Sequence, residues 1–204
     1  MSESRGRGRP RDPAADDAIL RAAFELFLDR GVDGASIERI AKRAGVGKLT
    51  VYRRWSSKED LLAAAIEAVL QERDWPDLEE FETGTPAEII ERSLPTAAET
   101  AASPQFRLLV SRIYGSAVSH PALMATYWRH YILPRREATA AMLRRAQRMG
   151  TVPADADLDV LIDMLAGAVT YRVLQPDPPD AAELRRYLEA LHRQAGLLPP
   201  EPDG

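Results

Sequence analysis

Lys48, Thr50, Tyr52 and Arg53 fall within six residues. They carry an ammonium, a hydroxyl, a phenol and a guanidinium, the donor types that grip phosphate oxygens and base edges. Upstream, Arg5, Arg7, Arg9 and Arg11 alternate with small residues and Pro10. Material for catalysis is thin by comparison. The chain has no cysteine, which excludes thiolate nucleophiles, thiolate metal sites and disulfides. His120, His130 and His192 are its only histidines, and no HExxH or Ser/His/Asp grammar frames them. Asp155, Asp157 and Asp159 alternate near a helix start but lack the Gly and terminal Glu of a calcium loop. The chemistry on offer is recognition, not an enzyme's reaction, and the residues call for no cofactor and no metal.

Presenting those donors needs a scaffold. Ile19, Leu20, Ala23, Phe24, Phe27 and Leu28 recur at helical spacing after Asp12-Pro13, an N-cap and first-turn signal, and Gly31 ends that helix. Ser36 caps a short second helix with Ile37, Ile40, Ala41 and Ala44 inward. A turn at Gly45-Val46-Gly47 leads into a third, Lys48 to Trp55. Two short helices joined by a Gly-containing turn behind a longer one is helix-turn-helix grammar. Val51 and Trp55, four apart, dock inward, and Lys48, Thr50 and Arg53 then face a major groove with Tyr52 at the edge. Charge follows the same division. The net is −4 over 204 residues, yet residues 1–55 hold 12 Lys/Arg against 8 Asp/Glu and the remainder 15 against 23. A basic head on an acidic body is the asymmetry of a chain that brings one end to phosphate.

The remainder also reads as helical, with no convincing strand. Ser56-Ser57-Lys58-Glu59 opens a fourth helix with a capping box. Thr85-Pro86, Ser103-Pro104 and His120-Pro121 are three further starts, and the last predicts a helix to Met149 with a kink at Pro134, which removes the bond to the His130 carbonyl. Gly150 stops it. Leu158 to Val169 and Asp180 to Leu191 mark two more helices, giving about nine. No apolar run approaches the roughly 20 residues of a membrane span, and the N-terminus lacks a signal-peptide core. The expectation is a cytoplasmic, all-α chain with no membrane partner. It comprises a basic disordered arm (1–12), a three-helix helix-turn-helix domain (13–60) and a helical C-terminal domain (61–204).

The run Ile19–Phe27, Gly31 and the block Ser36–Leu62, above all Ala44-Gly45-Val46-Gly47-Lys48 followed by Thr50 to Trp55 and Ser57 to Leu61, resembles the DNA-binding domain of TetR/AcrR-family transcriptional repressors. Residues 127–137 and 157–172 resemble an actinobacterial-type regulatory domain of that family. The resemblance implies that Lys48, Thr50, Tyr52 and Arg53 contact the groove and its phosphates. It further implies that Lys58 adds a phosphate contact and that Ser36 and Arg39 grip the backbone. Gly47 departs from the Ser or Thr common there. Leu49 is bulkier than the usual small residue and is placed to touch a thymine methyl. The arm carries Arg7-Gly8-Arg9-Pro10, which resembles an AT-hook core, with Arg7 and Arg9 drawn into a narrow minor groove.

For the body, the resemblance implies a cavity for a small apolar or aromatic effector. Of three Trp, six Tyr and four Phe, five fall in residues 106–131: Phe106, Tyr114, Tyr127, Trp128 and Tyr131. With Met124 and Arg112 they are the candidate lining, and His130 is a further polar candidate. The family's dimer interface maps to Leu161, Leu165, Val169, Leu184, Leu188 and Leu191, a stripe that core packing would equally explain. Reading a palindromic operator on double-stranded DNA requires a homodimer with its recognition helices about 34–36 Å apart. The expected function is a DNA-binding regulator that acts as an effector-released repressor. A ligand-independent DNA-organising protein with a filled body is the alternative.

Overall fold

The computed structural model describes residues 13–71 and 84–200, and all regular structure among them is helical. The chain divides into two compact units, residues 1–69 and 70–204. The Arg-rich arm, the cap at Asp12 and the acidic linker lie outside the described residues.

The first unit holds α1 (Pro13–Gly34), α2 (Ile37–Arg43), α3 (Lys48–Tyr52) and most of α4 (Lys58–Gln71). Gly31 sits at φ 69°, ψ −174°, so the regular part of α1 ends there as its sequence signal predicts. Ser36 Oγ accepts from the Arg39 N–H at 3.4 Å. At the far end of α2 the Val46 N–H donates to the Ala41 carbonyl at 3.0 Å and the Gly45 N–H to the Lys42 carbonyl at 3.3 Å, with Gly45 at φ 69°. This is a Schellman end, and it needs the left-handed residue that glycine supplies without a Cβ penalty. Phe24, Phe27, Ile37, Ile40 and Val51 close the core. The cap of α4 is Ser57, whose Oγ accepts from the Asp60 N–H at 3.0 Å. That is one residue later than the Ser56/Glu59 box expected, because the helix starts at Lys58. Leu61, Leu62, Ala65 and Ile66 are fully buried, and the first compact unit extends to Val69.

The second unit holds α5 (Pro86–Ala102), α6 (Pro104–Ser116), α7 (Pro121–Tyr127), α8 (Leu133–Met149), α9 (Leu158–Val173) and α10 (Ala181–Gln194). Complete capping boxes open α5 (Thr85, Glu88) and α10 (Asp180, Glu183), and Ser103 caps α6. Gly150 ends α8 at φ 77°, ψ 11°. The core joins α5, α8, α9 and α10 through Ile89, Leu94, Met142, Leu143, Ile162, Leu184 and Leu188.

Between α7 and α8 the helix does not break. Residues Trp128–Ile132 form a π turn, with the Leu133 N–H bonded to the Trp128 carbonyl five residues back. Pro134 removes one donor from the ladder, and the widened turn just before it re-pairs the backbone. A π turn thus lies one step upstream of the proline at which the sequence predicts a kink.

Candidate nucleic-acid interface and effector cavity

The α2–turn–α3 pair sorts its side chains by depth. Val51 is fully buried and Trp55 half-buried, which fixes the orientation of α3. Lys48, Tyr52 and Arg53 are exposed and Thr50 is half-buried. Leu49 shows 64% and Tyr52 48% of its surface, a large apolar exposure for a five-residue helix. Gly47 is the N-cap of α3 at φ −73°, and no side chain caps this end.

Several other basic groups of the unit are already engaged. Arg43 pairs with Glu25 at 3.0 Å and Asp29 at 3.5 Å on α1. Arg54 is bonded to Asp16 and donates to the Thr50 carbonyl at 3.1 Å, so it ties α3 to α1. Arg39 donates to the Gly34 carbonyl at 2.8 Å. Lys58 lies 3.8 Å from Glu59 at the start of α4. Lys48 is bonded to Glu38 of α2 and lies 5.6 Å from the Tyr52 ring centroid. The bond to Lys48 holds the Glu38 carboxyl below its usual range, and the same bond raises the Lys48 ammonium. Among the described residues the Arg53 guanidinium has no bonded partner. Residues 48–53 therefore offer, among the described residues, one uncommitted cation, one cation shared with Glu38, a hydroxyl and two exposed side chains of largely apolar surface, Leu49 and Tyr52. This set fits base edges, thymine methyls and phosphates together. Arg7 and Arg9 lie outside the described residues.

The second unit contains a cavity of about 260 Å³. Phe106, Val110 and Tyr114 of α6, Tyr127 and Tyr131, Arg135, Arg136 and Thr139 of α8, Ile162, Leu165, Val169 and Thr170 of α9, and Leu191 and His192 of α10 form its walls. A wider, more open recess of about 640 Å³ adjoins it through Tyr114, Ile132 and Arg136, and includes Trp128. Tyr127 and Tyr131 stack at 4.9 Å, and the Arg135 guanidinium lies 3.5 Å from the Tyr131 ring centroid. Arg136 is bonded to Asp163 and sits 3.2 Å from Asp159. His192 is largely buried. Its Nδ1 lies 2.7 Å from the Leu188 carbonyl, and burial pushes its pKa below the ordinary 6.5, so the ring is neutral with Nδ1–H as donor.

Of the expected lining, Phe106, Tyr114, Tyr127 and Tyr131 reach the inner cavity and Trp128 the outer recess. Arg112, Met124 and His130 line neither. Arg112 is two residues from Tyr114, about 200° around the helix, and so turns away. Met124 lies a turn before Tyr127. The sequence reading missed Arg135, Thr139 and His192. Tyr127, Tyr131, Arg135 and Thr139 recur every four residues, which is the signal that would have found the first two.

Part of the expected interface stripe packs within the single chain. Leu184 and Leu188 are buried in the single chain, which leaves them no area for a partner. Leu161, Leu165, Val169 and Leu191 are half-buried against the same core, and the last three also wall the cavity. The outward apolar face of α9 is instead Val160, Met164 and Tyr171, with 52%, 61% and 73% exposed, and Gly167 lies between the last two.

Two family models match the chain: bacterial regulatory proteins of the tetR family over residues 19–65, and the tetracyclin repressor-like C-terminal domain over residues 81–191. The chain is 29% identical over 168 residues to an uncharacterized HTH-type transcriptional regulator of Bacillus subtilis, YdeS, covering 82% of each. It is 27% identical over 173 residues to the DNA-binding transcriptional repressor TetR of Mycobacteroides abscessus, covering 84% of this chain and 88% of that one. A TetR-family transcriptional regulator from Mesorhizobium loti shares the fold, with a TM-score of 0.70 at 19% identity over 91% of this chain and 96% of that one. Among the described residues no helix is long and apolar enough to cross a membrane.

Proposed function

The chain belongs to the TetR family of transcriptional regulators, and from that premise we propose that it is a homodimeric repressor released from a palindromic operator by a small effector. It is a DNA-binding regulator and not an enzyme. The observation that supports DNA contact is the outward face of α3, where Leu49, Tyr52 and Arg53 are exposed over a buried Val51.

In this reading Lys48, Thr50, Tyr52 and Arg53 meet the groove and its phosphates, with Leu49 against a thymine methyl. Lys58 and the first turn of α4 meet the backbone, and Ser36 and Arg39 shape the end of α2 that approaches it. The Arg7–Arg9 arm adds minor-groove contacts. A second copy docks on Val160, Met164, Gly167 and Tyr171, whose spacing of four, three and four keeps them on one side of α9. An effector in the 260 Å³ cavity biases α4, which carries the chain from the first unit into the second. Coupling of about 1–3 kcal/mol changes operator affinity 5- to 150-fold.

Capture of genomic fragments by the full-length protein, followed by footprinting, tests this. Two protected half-sites centred about one helical turn or a small multiple apart are expected. Uniform protection without a repeated half-site would contradict it and favour an architectural role.

A further inference from the structure

We propose that the effector is an uncharged hydroxyaromatic molecule, a phenol or naphthol in class, whose hydroxyl donates to Nε2 of His192; this rests on the effector-release reading above.

His192 stands on α10 in the wall of the 260 Å³ cavity. Its Nδ1 lies 2.7 Å from the Leu188 carbonyl, one turn back on the same helix. A carbonyl only accepts, so Nδ1 carries a proton. A neutral imidazole has one N–H, so Nε2 on the other side of the ring holds a lone pair. Burial favours that neutral form. Among the described residues Nε2 has no hydrogen-bond partner, yet it is not sealed from solvent, so a molecule in the cavity can reach it. A buried acceptor without a partner costs free energy, and a bound donor recovers it. A hydroxyl supplies that donor; an ether or a carboxylate does not.

The other polar groups of the wall point to an uncharged ligand. Thr170 of α9 lines both the cavity and the adjoining recess. Hydroxyls within helices often bond back to a carbonyl three or four residues earlier. Thr139 does so to Arg135 and Ser116 to Arg112, each at 2.8 Å. Thr170 makes no such bond among the described residues, which leaves a second neutral group for a ligand. The two guanidiniums are engaged by the protein itself. Arg136 is bonded to Asp163 and lies 3.2 Å from Asp159. Arg135 donates to the Tyr131 carbonyl at 3.0 Å, lies over the Tyr131 ring and makes further contacts.

The remaining lining describes the body of the molecule. Phe106, Val110, Ile162, Leu165, Val169 and Leu191 are apolar, and the Tyr127–Tyr131 stack offers an aromatic wall. A volume of about 260 Å³ is just below the roughly 300 Å³ at which pockets take drug-sized ligands. One or two rings fit, and a long acyl chain with a bulky headgroup does not.

The test uses pairs in which a methyl group caps the hydroxyl: phenol against anisole, and naphthol against methoxynaphthalene. Naphthoate is the charged control. Each is equilibrated by dialysis with the full-length protein at about pH 7, where phenols are uncharged. At least one phenol is expected to bind about tenfold more tightly than its ether, and naphthol more tightly than naphthoate. His192→Phe, which keeps a ring and removes the acceptor, should bring phenol and ether together. His192→Gln, whose amide oxygen accepts, should keep part of the preference. Both variants are first checked for a wild-type melting curve. Nitrogen NMR of wild-type protein labelled at its three histidines reads the same contact without a substitution, and decides where His192→Phe melts early. The Nε2 resonance of His192 should move with naphthol and not with its ether. Ethers binding as tightly as phenols, no phenol binding, naphthoate binding more tightly than naphthol, an undiminished preference in a folded His192→Phe, or an unmoved Nε2 resonance each overturns the proposal.

The two readings fail separately. Phenols and ethers that bind alike and release the operator would leave effector release standing and remove the hydroxyl contact. Phenols that bind preferentially without changing operator affinity would uphold the contact and remove effector release.

Discussion

Lys48 of the recognition helix is bonded to Glu38 of the helix before it. Free of DNA, the ammonium that leads α3 is held by a carboxylate, and in the proposed complex binding exchanges that partner for a phosphate. Both side chains are exposed, so the pair adds little to stability. Its effect falls on binding. Glu38→Gln removes a negative charge from the approach face and releases Lys48. Operator affinity is expected to rise severalfold at low salt, with the melting temperature almost unchanged. Lys48→Ala should weaken binding and reduce the slope of log K against log salt by about 0.9, one phosphate's worth. Fluorescence anisotropy across a salt series reads both, and an unaltered slope in Lys48→Ala would remove Lys48 from the phosphate contacts.

Gly45 and Gly47 flank Val46 but answer to different demands. Gly45 sits at φ 69°, and a Cβ there would meet nothing within 4 Å, so the whole cost of Gly45→Ala is backbone conformation. That cost is about 1–2 kcal/mol. Gly47 sits at φ −73°, and a Cβ there would meet only Thr50 Oγ1, at 3.9 Å. Gly47→Ser should therefore fit and supply the absent N-cap of α3, gaining a few tenths of a kcal/mol. Denaturant titration of the two variants should move the midpoint in opposite directions. Equal destabilisation would mean that the turn, not the dihedral angle, decides.

The two glycines also show where sequence reasoning stops. Helix starts were legible because each leaves a local mark, as Thr85 with Glu88, Ser103 and Asp180 with Glu183 do. The recognition face was legible for the same reason, since Val51 alone on a short polar helix forces its orientation. Pairing was not. Nothing local says that Lys48 reaches Glu38 or that Arg54 reaches Asp16 across 38 residues. Periodicity alone does not separate the two apolar sides of α9. The stronger stripe, Leu161, Leu165 and Val169, serves the chain's own core, and the weaker one, Val160, Met164 and Tyr171, is left outside.

His192 gives the second unit an acid limit. Its pKa is lowered by burial, and Arg135 and Arg136 share its cavity wall. A base with a folded pKa below its unfolded value binds fewer protons when folded, so stability rises with pH through that interval. The contribution is full above the ordinary value of 6.5 and is lost as pH falls below it towards the folded value. Wild-type protein should lose melting temperature in this range, and His192→Gln, which cannot take the proton, should lose less. Each kcal/mol corresponds to about 2–4 °C in a chain of this size. Parallel acid limbs in the two proteins would assign the loss to other groups.

Met164 and Tyr171 distinguish a face that serves a partner from one that serves the fold. Both are more than half exposed in the single chain, so a charge at either place disturbs little of the internal packing. In a dimer docked on α9, the same charge would be buried against its own symmetry mate, because a two-fold axis brings a patch against itself. Met164→Glu and Tyr171→Glu should therefore melt like the wild type yet dissociate. Light scattering at micromolar concentration should report about 22.6 kDa in place of twice that mass. Operator affinity should fall with dissociation, because a lone recognition helix loses the second half-site. Leu184→Glu is the contrast. Leu184 is fully buried, so the charge should unfold the second unit and not merely split a dimer. Met164→Glu and Tyr171→Glu that both remain dimeric would move the interface off this face of α9.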